Sequence, residues 1–369
     1  MVSPPAQASG VPDVTAARPR VAAVLQGAFS PAKIYASRAP GVVTLFAYFG
    51  GDSAAAGAQG SGFVVSRSGT ILTNAHVITT AGENGAGGSV RQASRLYVEF
   101  PDHDRVPARI VGWDVFDDVG VIRIDPKLHP LTIVPLGRSS TVVVGQPVAA
   151  IGSPLGNEDS LAVGVVSAVH RSIASLTSRY QLVDAIQTDA AFTHGSSGGP
   201  LLDAKGRAIG INAQIRSLSG QGNDLGVGFA VPIDSARRSL REILRSGRVA
   251  YAYVGVRTSD VTPSVARALK LPVKYGALVE HVTPGGPGAK AGMRGGTHSQ
   301  EVDGQSVLAG GDVVVAVDRI PVTSADDLVR LVSARLEPGT VAAFTVVRAG
   351  RRLTLPVDLK ERPSNPGGQ

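Results

Sequence analysis

Residues 195–200 of this chain have the sequence Gly-Ser-Ser-Gly-Gly-Pro. Ser197 lies among glycines, whose backbone can turn sharply and direct successive N–H groups at one point. A site that stabilises an oxyanion beside a nucleophilic serine requires this arrangement. A plain glycine-rich turn before the strand predicted for Pro200–Leu202 would have the same composition. The stretch therefore needs support from the rest of the chain.

A candidate base lies well upstream of this serine. A serine hydroxyl is a weak nucleophile near neutral pH and needs a base within hydrogen-bonding reach. The chain has 7 histidines, and most of them lie in polar or turn sequences. His76 instead ends the apolar stretch Leu72-Thr73-Asn74-Ala75-His76. A histidine in that position could lie at a rim between two barrels, so His76 is the candidate base.

The candidate carboxylate is Asp118, which directly precedes an alternating apolar strand. Asp114 and Asp117 are alternatives. A carboxylate in this role would fix the tautomer of the imidazole and stabilise its cation. The chain order His76, Asp118, Ser197 is the order found in chymotrypsin-type serine proteases.

The glycine-rich stretch also fits Gly-x-Ser-x-Gly, the nucleophile elbow of α/β-hydrolases. In that fold the histidine must follow the serine along the chain. Only His281 and His298 lie downstream of Ser197, and both belong to a separate predicted domain. The flanks of the stretch also resemble strands on both sides, which disfavours the elbow.

Short strands dominate the predicted secondary structure, since 45 glycines and 24 prolines among 369 residues favour many tight turns. Two consecutive groups of six strands suggest two closed barrels, because closure removes exposed sheet edges. The fold class is therefore mainly β, with a chymotrypsin-like double six-stranded β-barrel. The predicted strands are 42–48, 62–66, 70–73, 95–100, 108–113 and 119–124, then 148–151, 162–169, 182–187, 200–202, 208–213 and 226–231.

A small α+β domain is predicted after the barrels. Asp234 is expected to cap a helix that Gly247 ends, and Thr262 and Ser324 are expected to cap two later helices. The proposed boundaries are a flexible segment 1–33, a chymotrypsin-like domain 34–248, the small α+β domain 253–360 and a disordered tail 361–369. A polar insertion is expected at about 297–310.

Composition excludes several classes of function. There is no cysteine, so disulfides and thiolate metal sites are excluded, and no cofactor or metal site is indicated. The net charge is +7, but there is no run of basic residues that would indicate a nucleic-acid partner. No stretch is long and apolar enough for a membrane span.

Five short motifs resemble the HtrA/Deg family of proteases, and together they span roughly residues 35–360. They occur in the family's order along the chain. The motifs are Gly60-Ser61-Gly62-Phe63-Val64-Val65 with the His76 stretch, Asp118-Val119-Gly120-Val121, Ile151-Gly152-Ser153-Pro154-Leu155-Gly156, Thr188-Asp189-Ala190-Ala191 leading into the Ser197 stretch, and Gly226-Val227-Gly228-Phe229-Ala230-Val231-Pro232.

The resemblance implies a role for each site residue. Ser197 would be the nucleophile, His76 the base and then the acid, and Asp118 the orienting carboxylate. The N–H groups of Gly195 and Ser197 would form the oxyanion hole. The loop 214–228 would line an S1 pocket for small or medium aliphatic side chains.

The C-terminal domain would be PDZ-like. The resemblance makes Tyr253-Val254-Gly255-Val256 its carboxylate-binding loop, and peptide C-termini would add a strand to its sheet. Because the triad lies upstream, hydrolysis of a small peptide is expected not to need residues 253–369.

The family also implies a biological setting. Its members are protein quality-control and stress-response endopeptidases that act on unfolded or damaged proteins, outside the cytoplasm in a bacterial envelope or periplasm. The export segment would then be absent from this chain. A homotrimer is expected, with Ile34, Tyr35 and Val42–Tyr48 as a contact surface.

One departure from the family leaves alternatives open. Thr193-His194-Gly195-Ser196 stands where the family has Asn-Pro-Gly-Asn. A chaperone-like holdase, or a PDZ scaffold with weak or no proteolysis, is therefore kept as an alternative.

Overall fold

The computed structural model describes residues 29–50, 57–81, 90–152, 160–178, 180–191, 195–213 and 227–363. The first group of strands closes into a barrel in the order β1-β2-β3-β6-β5-β4. The predicted fold class is confirmed, and most strand ends differ from the prediction by a few residues. The strands are β1 (Val42–Tyr48), β2 (Gly57–Val64), β3 (Thr70–Thr73), β4 (Arg95–Glu99), β5 (Arg105–Asp114) and β6 (Val119–Ile124).

The second group also closes, in the order β10-β11-β12-β9-β8-β7. The hairpin of β8 and β9 is longer than predicted, because irregular pairing extends it well beyond the barrel. The strands are β7 (Pro147–Gly152), β8 (Ser160–Ala174), β9 (Gln181–Thr188), β10 (Pro200–Leu202), β11 (Ala208–Ala213) and β12 (Gly228–Pro232).

A shared apolar core joins the two barrels. Phe63 and Leu72 of the first barrel lie in one buried cluster with Ile151 and Val231 of the second. Each barrel also has an interior cluster of its own. Burying apolar side chains between the barrels favours docking by about 25 cal/mol per Å². The cleft between the barrels is therefore held at a fixed width.

A helix, α1 (Pro31–Arg38), precedes the first strand and starts inside the segment predicted to be flexible. Ile34 on this helix is buried, with 5% of its side chain exposed, and packs into the core shared by the barrels. Alternate residues of β1, such as Val43 and Leu45, also face a barrel interior. Most of the apolar surface expected for trimer contact is thus inside the fold.

Two further helices lie in the barrel region. They are α2 (Ala75–Ile78) and α3 (Ile233–Ser246). The prediction that Asp234 caps α3 is wrong, because Pro232 occupies the cap position and Asp234 lies in the first turn. The Asp234 carboxylate accepts a hydrogen bond from the backbone of Ser140 instead. Gly247 ends the helix in a left-handed conformation, as predicted.

The C-terminal domain has a sheet with the main order β14-β15-β18-β20-β21, and β19 pairs with β18. Thr262 and Ser324 cap their helices through their side chains, as predicted. The polar insertion forms a separate hairpin of β16 and β17. The elements are β13 (Ala252–Tyr253), β14 (Val256–Val261), α4 (Pro263–Ala268), β15 (Gly276–Val282), α5 (Pro287–Lys290), β16 (His298–Val302), β17 (Gln305–Ala309), β18 (Val313–Val317), β19 (Ile320–Pro321), α6 (Ala325–Arg335), β20 (Val341–Arg348), β21 (Arg351–Asp358) and β22 (Lys360–Glu361).

The end of the described chain is ordered where a disordered tail was predicted. β22 pairs with β13 at the start of the C-terminal domain. Arg362 follows β22, and its N–H donates to the carbonyl of Tyr251 at 2.8 Å. Tyr251 is buried, with only 1% exposed. The prediction of disorder from Glu361 is therefore wrong for residues 361–363, because this segment packs against the junction between the domains.

Candidate active site

His76 lies on α2, one turn of helix that begins directly after β3. The backbone N–H of His76 donates to Asp118 Oδ1 at 3.0 Å, and its ring Nδ1 lies 2.8 Å from Asp118 Oδ2. A carboxylate accepts hydrogen bonds, so this contact makes Nδ1 the protonated nitrogen of a neutral imidazole. Nε2 is then left as the basic nitrogen of the ring.

Asp118 is held in an unusual backbone conformation, with φ of 52°. Left-handed backbone is costly for residues other than glycine, and aspartate tolerates it better than most. The side-chain amide of Asn74 donates to the Asp118 carbonyl at 2.9 Å. Among the contacts that the structure describes, neither alternative carboxylate meets His76, and Asp114 binds backbone and hydroxyl groups elsewhere. Asp118 is thus the carboxylate that meets His76.

Two features of the environment of His76 act on its pKa in opposite directions. Burial of the ring would lower the pKa of His76, whereas the charge of Asp118 and its hydrogen bond raise it. The net result is a pKa above the usual 6.5. An imidazole next to a carboxylate gains stability as a cation, which suits a group that accepts a proton during a reaction.

The Ser197 stretch packs against β2, across the cleft between the barrels. Ser61 N–H donates to the Ser197 carbonyl at 2.7 Å, and Ser61 Oγ donates to the Gly195 carbonyl at 2.6 Å. Ser196 and Ser197 are buried, with 6% and 8% exposed. Ser61 therefore ties the second barrel's serine loop to the first barrel, which also carries His76 and Asp118.

Gly198 is required by this packing. Its φ is +90°, and a Cβ at this position would lie 2.0 Å from the Ser61 carbonyl oxygen and 2.4 Å from Thr73 Oγ1. Gly195 also has a positive φ, of 96°. The glycines around Ser197 thus serve a sharp turn and a close approach, which excludes the simpler interpretation of an unconstrained surface turn.

Ser61, Thr73 and Asn74 were missed as functional residues by the sequence analysis. All three lie inside motifs that the sequence analysis quoted for the family resemblance. Thr73 Oγ1 donates to the Ser61 carbonyl at 2.7 Å, beneath the serine loop, and Asn74 donates to the Asp118 carbonyl. A polar residue in an otherwise apolar or glycine-rich motif is the signal that could have indicated them.

Some predicted features lie outside the described residues. These are Thr193 and His194 before the serine loop, residues 153–156 of the motif that starts at Ile151, and residues 214–226 of the loop expected to line the S1 pocket.

The loop expected to bind carboxylates joins β13 to β14. Gly255 has a φ of +76°, so the chain turns between the two strands. The Val254 and Gly255 carbonyls accept hydrogen bonds from Gly288 and Thr283, at 2.7 and 2.8 Å. Both carbonyls are thus turned into the domain. Tyr253 is fixed by the pairing of β13 with β22.

Two protein-family models match the chain. A trypsin-like peptidase domain matches residues 60–211, and a PDZ domain matches residues 252–359. The first range lies within the barrel region and includes the His76 and Ser197 stretches, and the second covers the C-terminal sheet domain.

Curated relatives extend the similarity over both domains. Protease Do-like 1, chloroplastic, of Arabidopsis thaliana is 37% identical over 83% of this chain and 64% of its own length. A probable periplasmic serine endoprotease, DegP-like, of Pseudomonas fulva is 35% identical over 87% of this chain and 59% of its own. The putative serine protease HhoA of Synechocystis is 34% identical over 81% and 70%. This chain therefore spans less than two thirds of the first two relatives.

Solved structures are similar over nearly the whole chain. The HtrA-type protease AlgW with tripeptide has a TM-score of 0.72 and 32% identity, covering 92% of this chain and 100% of that one. A serine endoprotease from Yersinia pestis has a TM-score of 0.62 and 27% identity, covering 90% and 98%.

Proposed function

Since the chain belongs to the HtrA/DegP family of serine endoproteases, we propose that it is a serine endopeptidase with Ser197, His76 and Asp118 as its triad. The observation that carries this proposal is the 2.8 Å contact between His76 Nδ1 and Asp118 Oδ2, in the barrel whose Ser61 also binds the Ser197 loop. The alternatives of a holdase or a PDZ scaffold need no such pair.

The geometry supports an acyl-transfer mechanism. His76 Nε2 takes the proton of Ser197 Oγ as the oxygen attacks the peptide carbonyl, and Asp118 stabilises the imidazolium that forms. The N–H groups of Gly195 and Ser197 stabilise the negative oxygen of the tetrahedral intermediate. The imidazolium then gives its proton to the leaving amine. Water repeats the sequence on the acyl-enzyme and frees Ser197.

The substrates that we propose are unfolded or damaged proteins. A C-terminal module that holds peptide C-termini would keep an extended substrate near the cleft. β14 is the end strand of its sheet, and an end strand can accept an added peptide strand. The similar protease AlgW was solved with a tripeptide, which supports peptide binding by this chain as well.

We propose an extracytoplasmic location, in a bacterial envelope or periplasm, because several relatives are named periplasmic. Among the residues that the structure describes, no helix has the length and apolar character needed to cross a membrane. A homotrimer is proposed from the family alone, and light scattering at micromolar concentration tests it: a monomer would contradict it.

Degradation of casein tests the proposed activity. The wild-type chain should cleave casein, and Ser197→Ala should reduce cleavage to background because the nucleophile is gone. Ser196→Ala is the matched control, since it removes the neighbouring hydroxyl from the same buried loop. A wild-type chain that prevents casein aggregation without cleaving it would contradict the proposal and favour the holdase.

A further inference from the structure

A second carboxylate organises the loop that carries Asp118. Asp114 Oδ1 accepts the backbone N–H groups of Phe116 at 2.9 Å and Asp117 at 3.3 Å. Asp114 Oδ2 accepts hydroxyl hydrogen bonds from Ser239 at 2.6 Å and Tyr251 at 2.7 Å. Asp114 is 2% exposed. The loop from Asp114 to Asp118 is thus folded around one buried carboxylate, to which the interdomain Tyr251 is bound.

Arg362 reaches this loop from the end of the C-terminal domain. Its guanidinium lies 5.3 Å from the ring centre of Phe116 and 4.9 Å from those of Tyr180 and Tyr251. It also donates to Ser333 Oγ of α6 at 2.7 Å. A guanidinium over aromatic rings is attracted to their electron-rich faces, the more so away from water. One side chain therefore contacts the Asp118 loop, the β8–β9 hairpin, the linker and α6.

The carboxylate of Asp117 has the charge opposite to that of Arg362, and Arg362 affects its pKa. Asp117 is 8% exposed. Burial and the neighbouring Asp114 carboxylate raise the pKa of Asp117 to about 6, while Tyr251, Arg238 and Arg362 act to lower it. Glu242 pairs with Arg238 on α3, and Tyr180 faces Arg362 from the β8–β9 hairpin. With Asp118 next in the chain, these seven groups are the titratable and charged groups described around the loop, the linker, α3 and the chain end. Two close buried carboxylates repel each other unless cations balance them.

We infer that Arg362 is a positioning residue for the proteolytic reaction, holding the loop Asp114–Asp118 in the conformation that directs Asp118 at His76. Asp118 has a left-handed backbone, and such strain persists only where surrounding contacts over-determine it. Arg362 and Tyr251 supply contacts from outside the barrels. The inference rests on the proposed protease function, and it opposes the expectation that residues 253–369 are dispensable for cleaving a small peptide.

Steady-state kinetics of the full chain on a small chromogenic peptide test this role. Arg362→Met should lower kcat by about 10- to 100-fold, the order expected when a reacting group is slightly misplaced. KM should change little, because the described contacts of Arg362 are with the Asp118 loop, Tyr180, Tyr251 and Ser333, and not with the Ser197 loop. Arg248→Met is the matched control: Arg248 is exposed and pairs with Glu361 of the same chain end, but it has no contact with the Asp118 loop among those described.

Further variants separate the effect of the charge of Arg362 from the effect of its side-chain shape. Arg362→Lys keeps the cation and should retain kcat within about threefold of wild type. His76 sets the acidic limb of the wild-type pH–rate profile. In Arg362→Met the limb should move to higher pH, because Asp117 loses a cation that lowers its pKa and its titration then overlaps that of His76. Adding Asp117→Asn to Arg362→Met removes the carboxylate that needs the cation. The double variant should therefore recover kcat to about that of Asp117→Asn alone.

The possible results distinguish this inference from the proposed function. If wild type cleaves the peptide and Arg362→Met matches Arg248→Met in kcat and pH profile, the positioning role is wrong and the protease stands. If kcat falls as far in Arg362→Lys as in Arg362→Met, or if adding Asp117→Asn to Arg362→Met does not restore kcat, then Arg362 does not act by balancing the charge of Asp117. A wild-type chain without any hydrolysis would overturn the proposed function, and the inference with it.

Discussion

At the scale of single residues, the proposed activity depends on the contact between His76 and Asp118. The sequence predicted Asp118 over Asp114 and Asp117 because of its position before β6, and the contact at 2.8 Å agrees with that choice. The roles of Asp114 and Asp117 could not be predicted, because their partners are Ser239, Tyr251 and Arg362, far along the chain. Local patterns carry no information about such contacts.

The raised pKa of His76 predicts the pH dependence of the reaction. The imidazole must be neutral to accept the serine proton, so kcat/KM should rise with pH through an apparent pKa above 6.5. Asp118→Asn removes the negative charge that raises the pKa of His76 and leaves the burial of the ring, which lowers that pKa. The acidic limb should then move to lower pH, while kcat falls by about 10,000-fold. An acidic limb that does not move in Asp118→Asn would contradict the assigned pair.

At the scale of elements, glycines decide how closely strands and loops approach one another. The sequence indicated a turn at Ser197 and a short apolar loop at Tyr253–Val256. It did not indicate that Gly198 lies against the carbonyl of Ser61 in another barrel. Residues 257–260 of β14 are polar, so their strand conformation depends on pairing with β15 and no local pattern indicates it.

Gly198→Ala tests the close approach of the serine loop to β2. Gly145→Ala is its control, because Gly145 has a φ of +83° but nothing within 4 Å of an added Cβ. The control should be destabilised only by the strain of an alanine in left-handed backbone. That strain costs about 1–2 kcal/mol of stability, or roughly 2–8 °C in Tm. Gly198→Ala should lower the Tm by more than that and should abolish peptide hydrolysis. Equal Tm values and retained activity in the two variants would refute the packing described.

Peptide titration tests the loop between β13 and β14. Peptides that end in an apolar residue should bind with roughly micromolar Kd, typical of strand addition with one side-chain pocket. Amidation of the peptide terminus should weaken binding by about tenfold or more, since charge-assisted hydrogen bonds to backbone N–H groups are lost. Calorimetry that gives one Kd for the acid and the amide would contradict carboxylate capture, without affecting the triad.

At the scale of the whole molecule, the site exists only when both barrels are docked. His76 and Asp118 belong to the first barrel, Ser197 to the second, and Phe63, Ile151 and their neighbours form the core between them. Chain order and short motifs were enough to predict this architecture, since each barrel is a local series of hairpins. The ordered segment 361–363 was not predictable, because its composition resembles a disordered tail and the contacts that hold it come from residues distant in the chain, namely β13, Ser333 and the aromatic partners of Arg362.

Covalent labelling by a fluorophosphonate probe tests the central claim most directly, because only an activated serine in a formed oxyanion site reacts quickly. The folded wild-type chain should be labelled, with the probe on Ser197 by peptide mapping. Ser197→Ala should not be labelled, Ser196→Ala should retain labelling, and wild type unfolded in denaturant should lose it. Labelling that survives in Ser197→Ala, or that maps to Ser196 in the wild-type chain, would contradict the account.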